Sequence, residues 1–255
     1  MKINTETLLP FLMYNKPIPY SESIVLHPVT MNDIVLFQNL SKAITVRKNS
    51  IFRNKKIIKM NYFDFLLYCL DNKELEEEYE INGLSEYYVF VLELLKLCCK
   101  DSDISIHKET GQIIINNEIV TSNMFDDLRR IIIIQNDIDF DIDEFMNYDT
   151  ERKLNEAQKH FDKNDEKSNI EDYIDSLVVA MNTTEERIMN MTIRKFWRYI
   201  KRYNLHESYT IKKTGESSGM VSYKEPIRHW MGSLDKEDKY EHLKTDESEL
   251  RGKVG

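Results

Sequence analysis

Ser217 lies in the run Gly215-Glu216-Ser217-Ser218-Gly219, whose spacing matches the nucleophile elbow of serine hydrolases. That motif needs a strand before the serine, a helix after it, and an acid followed by a histidine further along the chain. Here the flanking residues are polar and the preceding segment has the pattern of a helix end. The spacing therefore predicts a flexible turn, and we expect no catalytic serine.

Four aspartates alternate along one short segment in the manner of a calcium-binding loop. They are Asp137, Asp139, Asp141 and Asp143. A calcium loop also requires glycine at its sixth position and glutamate at its twelfth, where this chain has Ile142 and Tyr148. The six histidines do not fall at zinc-ligand spacings, and the adjacent Cys98 and Cys99 cannot both ligate easily from one helix. We expect no metal and no cofactor.

The most informative stretch, Thr183 to Met231, combines a helix-restart pattern with a basic helix. Thr183 or Thr184 and then Thr192 are placed to cap successive helices. In the second of these helices, helical spacing puts Phe196, Trp197 and Ile200 on one face together with Ile193. The cationic side chains expected on the other faces are Arg194, Lys195, Arg198, Lys201 and Arg202. We expect Arg194, Arg198, Lys201 and Arg202 to bind a partner.

A short helix, a turn and a basic helix also fit a helix-turn-helix that lies along nucleic-acid phosphates. The formal net charge of the chain is −9, and the turn lacks the usual glycine. Both features favour an acidic protein surface as the partner. A helix-turn-helix-like regulator that binds nucleic acid stays open as the alternative.

The segment after Tyr209 loses its helical period and carries isolated apolar residues. Trp230, Met231 and Leu234 lie in a segment too polar to make its own core. Exposed apolar groups of this kind form a sticky patch in water. We expect these three residues to anchor on a neighbouring subunit or on the body of the same chain.

Charge is segregated along the chain. The formal charge is +6 over residues 1–60, −6 over 61–100, −12 over 101–181, +5 over 182–230 and −2 over 231–255. Blocks of alternating sign suit docking against oppositely charged neighbours, although solvated helix faces of differing sign would give the same pattern. The 255 residues with 41% hydrophobic content can supply real cores, and only 7 Gly and 5 Pro favour helices over an all-β fold.

Periodicity predicts a mainly α protein with a small β-hairpin insertion. Ser23 to Val29 reads as an edge strand, and helices are expected to start at Thr30, Asn61 and Ser85. Short strands around Gly111 form the hairpin signal, and Ser122 is expected to cap a helix whose four isoleucines require burial. The expected regions are 1–100 (helical, with the edge strand), 101–150 (hairpin and buried helix), 151–169 (polar linker or exposed helix), 170–210 (helical) and 211–255 (docking tail).

No apolar run approaches the roughly 18 residues of a spanning helix. The first residues, MKINTETLLPFLMYNK, lack the pattern of a signal peptide. Three cysteines, Cys69, Cys98 and Cys99, lie in apolar runs where a thiol packs as a small hydrophobe. These features predict a soluble protein with no membrane partner in a reducing cytoplasm.

Three segments resemble proteins of bacteriophage tail morphogenesis. NTTEERIMNMTIRKFWRYIKRYNL is similar to the C-terminal part of such proteins, including tail assembly chaperones. FDDLRRIIIIQN and IPYSESIVLHPVTMNDIVLF resemble contractile-tail baseplate and hub-assembly proteins. The resemblance implies a non-enzymatic assembly protein that binds other tail or baseplate proteins, works in the host cytoplasm and is either retained in the virion or released as a chaperone.

Overall fold

A computed structural model describes residues 3–79, 81–140, 142, 169–219, 221–223 and 226–234. The described chain is mainly helical with two small antiparallel sheets, which confirms the predicted fold class. Chain contacts divide it into two units. The first contains the described residues up to 142 together with 169–197, and the second contains the described residues from 198 onward. Within the described residues, no helix has the length and apolar character needed to cross a membrane.

The first unit consists mainly of α-helices, and the last helix continues into the second unit. In chain order they are α1 Thr5–Met13, α2 Ile34–Ser41, α3 Lys48–Ile51, α4 Lys55–Lys59, α5 Tyr62–Asp71, α6 Glu74–Glu78, α7 Tyr87–Cys98, α8 Ser122–Gln135, α9 Ile170–Met181, α10 Glu185–Met189 and α11 Ile193–Ser217. Helix α2 packs on α7, and α5 packs on both α7 and α8. The predicted linker at 151–169 lies outside the described residues except for Asn169, whose side chain accepts a hydrogen bond from the Asp172 amide at the start of α9.

The β-structure consists of two small sheets. Strand β1 (Ile18–Pro19) pairs with β2 (Val25–Leu26), so the predicted edge strand is shorter than expected. Strands β3 (Ile104–Ile106), β4 (Ile113–Ile115) and β5 (Glu118–Ile119) form a three-stranded antiparallel sheet, as the hairpin signal predicts. A two-residue turn joins β4 to β5, in which Asn116 and Asn117 have φ values of 48° and 67°. Asparagine tolerates this left-handed backbone better than most residues do.

Part of the core of the first unit lies where α5 packs on α8. Ile131, Ile132 and Ile133 of α8 are buried, and Ile134 is partly buried, which confirms most of the burial predicted for this run. The guanidinium carbon of Arg129 lies 3.6 Å from the centroid of the Tyr62 ring. The Tyr62 hydroxyl donates to the Ala43 carbonyl at 3.0 Å and accepts from the Val46 amide at 3.0 Å. The Tyr62 hydroxyl, inside this core, is therefore hydrogen-bonded to two main-chain groups.

Several predicted helix starts are wrong by one to four residues. Helix α8 is capped by Thr121, whose side chain accepts from the Met124 amide, because the Ser122 hydroxyl instead donates to Asp64 at 2.6 Å. The start predicted at Asn61 is confirmed, because Asn61 is the N-cap residue of α5, although its side chain makes no capping hydrogen bond. A 3-10 turn follows Thr30, so α2 begins only at Ile34. Ser85 lies within another 3-10 turn, so α7 begins at Tyr87.

Candidate functional site

The start of helix α11 is held by backbone hydrogen bonds within the first unit. The Met31 amide donates to the Met191 carbonyl at 2.8 Å, and the Ile193 amide donates to the Val29 carbonyl at 2.9 Å. The predicted caps at this turn are confirmed. Thr184 accepts from the Arg187 amide, and Thr192 accepts from the Lys195 amide at 3.3 Å. The turn between α10 and α11 is therefore covered by residues 29–31.

The predicted packed face of α11 is confirmed at two of its three positions. Phe196 and Ile200 are buried, and Ile193 is buried beside them on the same helical face. Trp197 is only partly buried. Its ring contacts Tyr173 edge-on, with the ring centroids 5.4 Å apart.

Arg194 does not have the outward orientation that its spacing predicts. Its side chain is 11% exposed, and its Nη1 lies 3.7 Å from Oδ1 of Asp137. The helical period places Arg194 away from the apolar face, but a carboxylate from the end of α8 covers it. Arg194, predicted to bind a partner, therefore pairs with a carboxylate of its own chain.

The other three predicted cations lie in the part of α11 that belongs to the second unit. Lys201 is exposed, and Arg198 and Arg202 are partly buried. We call Arg198, Lys201 and Arg202 the cationic face. Tyr199 and Tyr203 border it and are each 37% exposed. The same stretch of helix thus presents positive charge and aromatic surface.

The described part of the tail runs back along α11. We call residues 221–234 the strap, of which 224 and 225 lie outside the described residues. A Cβ atom built on Gly215 would lie 3.2 Å from the Tyr223 hydroxyl. Nearer the helix start, the rings of Tyr209 and His229 are 5.0 Å apart, and those of His206 and Trp230 are 5.1 Å apart. The strap is therefore antiparallel to the helix.

Arg202 fixes the far end of the strap. Its Nη1 donates to the Trp230 carbonyl and, at 2.9 Å, to the Gly232 carbonyl. The strap bends there, because the Gly232 amide donates to the His229 carbonyl at 2.9 Å and the Arg228 guanidinium donates to the Ser233 carbonyl. Arg202 thus binds main-chain groups of its own chain.

The three predicted apolar anchors differ in their surroundings. Trp230 is partly buried against His206, so it docks on the body of the same chain, which is one of the two expected outcomes. Met231 is 65% exposed, and Leu234 is partly exposed. Met231 stays the strongest candidate among them for contact with another protein.

Sequence reasoning missed His206, Tyr209 and His229 as strap contacts. A signal was present, because Arg202, His206 and Tyr209 follow one another at helical spacings of four and three residues and so share a stripe of α11. Helical spacing could not identify the residues that contact that stripe, because they lie in the strap, beyond the turn at 218–219 that ends the helix.

The residues considered for catalysis and metal binding have other surroundings. Gly215, Glu216 and Ser217 lie in the last turn of α11, so they do not form the strand-turn-helix of a nucleophile elbow. Asp141 and Asp143 lie outside the described residues, and Asp137 pairs with Arg194. Within the described ranges, no group of three or more His, Cys, Asp and Glu side chains is placed to hold a metal ion.

The cysteines behave as the sequence predicts. All three are buried and free. Burial raises the pKa of Cys69 and of Cys99 to about 12, and it raises the pKa of Cys98 further above its ordinary value. These thiols stay protonated at neutral pH and pack as small apolar side chains.

Residues 162–235 match a protein-family model described as YomV second domain. The match covers α9, α10, α11 and the strap but less than a third of the chain. Because YomV is a phage-type gene name, this similarity indicates a phage protein, and it carries no information on tails or baseplates. Comparisons with curated proteins and with solved structures found no match.

Proposed function

We propose that this phage protein acts by protein–protein recognition in the assembly of a phage tail or baseplate, and that the cationic face of α11 binds an acidic surface of a partner. The observation that carries the proposal is the placement of Arg198, Lys201 and Arg202 beside partly exposed tyrosines. Arginine and tyrosine are enriched among the residues that dominate binding energy at protein interfaces.

Charge supports a protein partner. The whole chain has a formal net charge of −9, whereas residues 182–230 have a charge of +5. A local positive surface on an acidic protein attracts acidic partners and orients them, while the rest of the chain repels them. Proteins that must assemble in one orientation gain specificity from this arrangement.

The start of α11 supports a protein partner over DNA. In a helix-turn-helix protein, the first residues of the second helix contact base edges in the major groove. Here Ile193 is buried, Arg194 pairs with Asp137, and the turn before them bonds to residues 29–31. The residues that would read bases are therefore occupied by the protein itself.

The experiment compares a double charge reversal on the cationic face with a single reversal at an exposed lysine further along the helix. Arg198→Glu with Lys201→Glu changes two cations of the face, and Lys212→Glu changes one exposed cation a few turns away. Tagged proteins are produced during phage infection, and co-purifying tail and baseplate proteins are quantified by mass spectrometry. We expect the double variant to lose them and Lys212→Glu to keep them.

Retention of the same phage proteins by the double variant would contradict the assigned face. Sequence-selective binding of duplex DNA at physiological salt would favour the regulator instead. Mass spectrometry of purified particles separates the two assembly roles, because a retained component is present at fixed copy number and a chaperone is absent.

A further inference from the structure

We infer that the stripe of α11 formed by Arg202, His206 and Tyr209 is a docking surface for an extended acidic segment of the partner, and that the strap occupies this surface until the partner displaces it. The inference rests on the proposed function and names the chemistry of the partner. It adds that the strap, a segment of the same chain, competes with the partner for this stripe.

The strap is held in the manner of a bound peptide. Residues 221–223 and 226–229 are neither helix nor strand. The main-chain carbonyls of Trp230 and Gly232 accept from one arginine, and two rings of the strap meet two rings of the helix edge-on. Contacts through main-chain carbonyls depend little on side-chain identity. The same stripe can therefore receive another extended segment.

The strap is a poor electrostatic match for the surface that it covers. Residues 221–234 have a formal charge of +1, and they lie on a helix whose neighbouring side chains include Arg198 and Lys201. Arg202 donates to neutral carbonyls, whereas a carboxylate would accept a charge-assisted and bidentate pair of hydrogen bonds from the same guanidinium. An acidic segment would therefore bind this stripe better than the strap does.

The contacts of the strap are at the surface. Of the residues in these contacts, His206 and His229 are exposed, and Arg202, Tyr209 and Trp230 are partly exposed. Hydrogen bonds and ring contacts that water can reach add little net stability each. Opening the strap is thus a local event that does not require the first unit to unfold.

A glycine provides the bend between helix and strap. Gly219 has φ of 72°, and among the described residues other than its chain neighbours no atom lies within 4 Å of the position that its Cβ would take. Glycine adopts this left-handed backbone without strain, so it can end α11 and let the chain turn toward the strap. The strap can leave the stripe while α11 stays intact.

The fluorescence of Trp230 measures whether the strap lies on the helix. The chain contains two tryptophans, Trp197 and Trp230, so Trp197→Phe leaves Trp230 as the only one. Poly-L-glutamate serves as the acidic probe, and its binding is measured by anisotropy of a labelled sample. We expect the fluorescence emission of Trp230 to shift to longer wavelength and its quenching by acrylamide to increase. Both changes should be half complete at the probe concentration that gives half-maximal binding.

Weakening the strap sharpens the test. His229→Ala with Trp230→Ala removes both ring contacts from the strap side and keeps Arg202, His206 and Tyr209 in place, and Ser222→Ala is the exposed control on the strap. We expect the double variant to bind poly-L-glutamate roughly fivefold more tightly, because the lost contacts no longer oppose the probe. The control should bind as the parent protein does.

Hydrogen–deuterium exchange on the unmodified full chain gives a second measurement that does not depend on Trp197→Phe. The Gly232 amide, which donates to His229, should exchange faster when the probe is bound. Probe binding with unchanged Trp230 emission and unchanged Gly232 exchange would overturn the strap as competitor while leaving the cationic face in place. No binding of the probe by any variant would overturn the acidic partner, and the proposed function with it.

Discussion

Arg129 and Arg202 both donate hydrogen bonds to main-chain carbonyls, the first in the core and the second nearer the surface. Arg129 is 5% exposed, donates to the Ile44 carbonyl at 2.7 Å and lies over the Tyr62 ring. Arg202 is partly exposed and donates to the Gly232 carbonyl at 2.9 Å. The bonds are alike in length and chemistry. Their surroundings make the first a part of the fold and the second a contact that can be exchanged.

The physical reason is the cost of leaving a group unpaired. If the bond of Arg129 breaks, the Ile44 carbonyl and the guanidinium lose a partner where water cannot replace it, and that costs far more than the bond itself. If the bonds of Arg202 break, water or a partner takes the place of the strap carbonyls. Stability therefore depends on the buried arginine, and recognition is available to the exposed one.

The largest expected effect comes from Arg129→Ala. Removing this side chain leaves the Ile44 carbonyl unsatisfied and opens a cavity over the Tyr62 ring, so the free energy of unfolding should fall by about 3–5 kcal/mol. Urea denaturation followed by circular dichroism measures the change. A loss below about 1 kcal/mol would show that the buried Arg129 contributes no more to stability than the partly exposed Arg202 does.

A smaller effect is expected for Tyr62→Phe. The change keeps the ring under Arg129 but removes the hydroxyl that donates to Ala43 and accepts from Val46. We expect a loss of about 1–3 kcal/mol in the free energy of unfolding, because two buried main-chain groups lose their partner. Tyr203→Phe is the surface control, since that hydroxyl donates only to the exposed Glu207 among the bonds described here. The control should be close to neutral.

Arg202→Ala should cost about 1 kcal/mol or less in the free energy of unfolding, since its hydrogen bonds are accessible to water. Its effect should instead appear locally. Amides 229–232 should exchange faster with deuterium while those of α5 and α8 keep their protection. Loss of protection throughout the first unit would contradict the view that the strap contact is local.

The smallest effect on stability is expected for Arg198→Glu with Lys201→Glu. Lys201 is exposed and Arg198 is only partly buried, and substitutions at surface positions of this kind usually change the free energy of unfolding by no more than about 0.5 kcal/mol each. The same pair should remove partner binding, as proposed above. A thermal-denaturation midpoint lowered in step with the loss of binding would mean that these cations support the fold and do not form a recognition surface.

The sequence by itself determined the local structure. Helical spacing of apolar residues predicted α8 with its buried isoleucines and the packed face of α11, and turn residues predicted the hairpin after Cys99. Thr183 or Thr184, and then Thr192, were predicted as caps, and Thr184 and Thr192 take these roles. Such caps are predictable because a cap bonds to an amide only a few residues away. Each of these features depends on neighbours in sequence.

Only the tertiary structure decided which long polar side chains face water. Arg194 and Arg198 are one helical turn apart, yet an aspartate more than 50 residues earlier covers the first. Ser122 loses its expected cap role to Asp64, and Arg202 binds carbonyls some 30 residues later in the strap. Arginine and serine can pair with any acceptor within reach. Their partners are set by where distant segments pack, which helical periodicity does not encode.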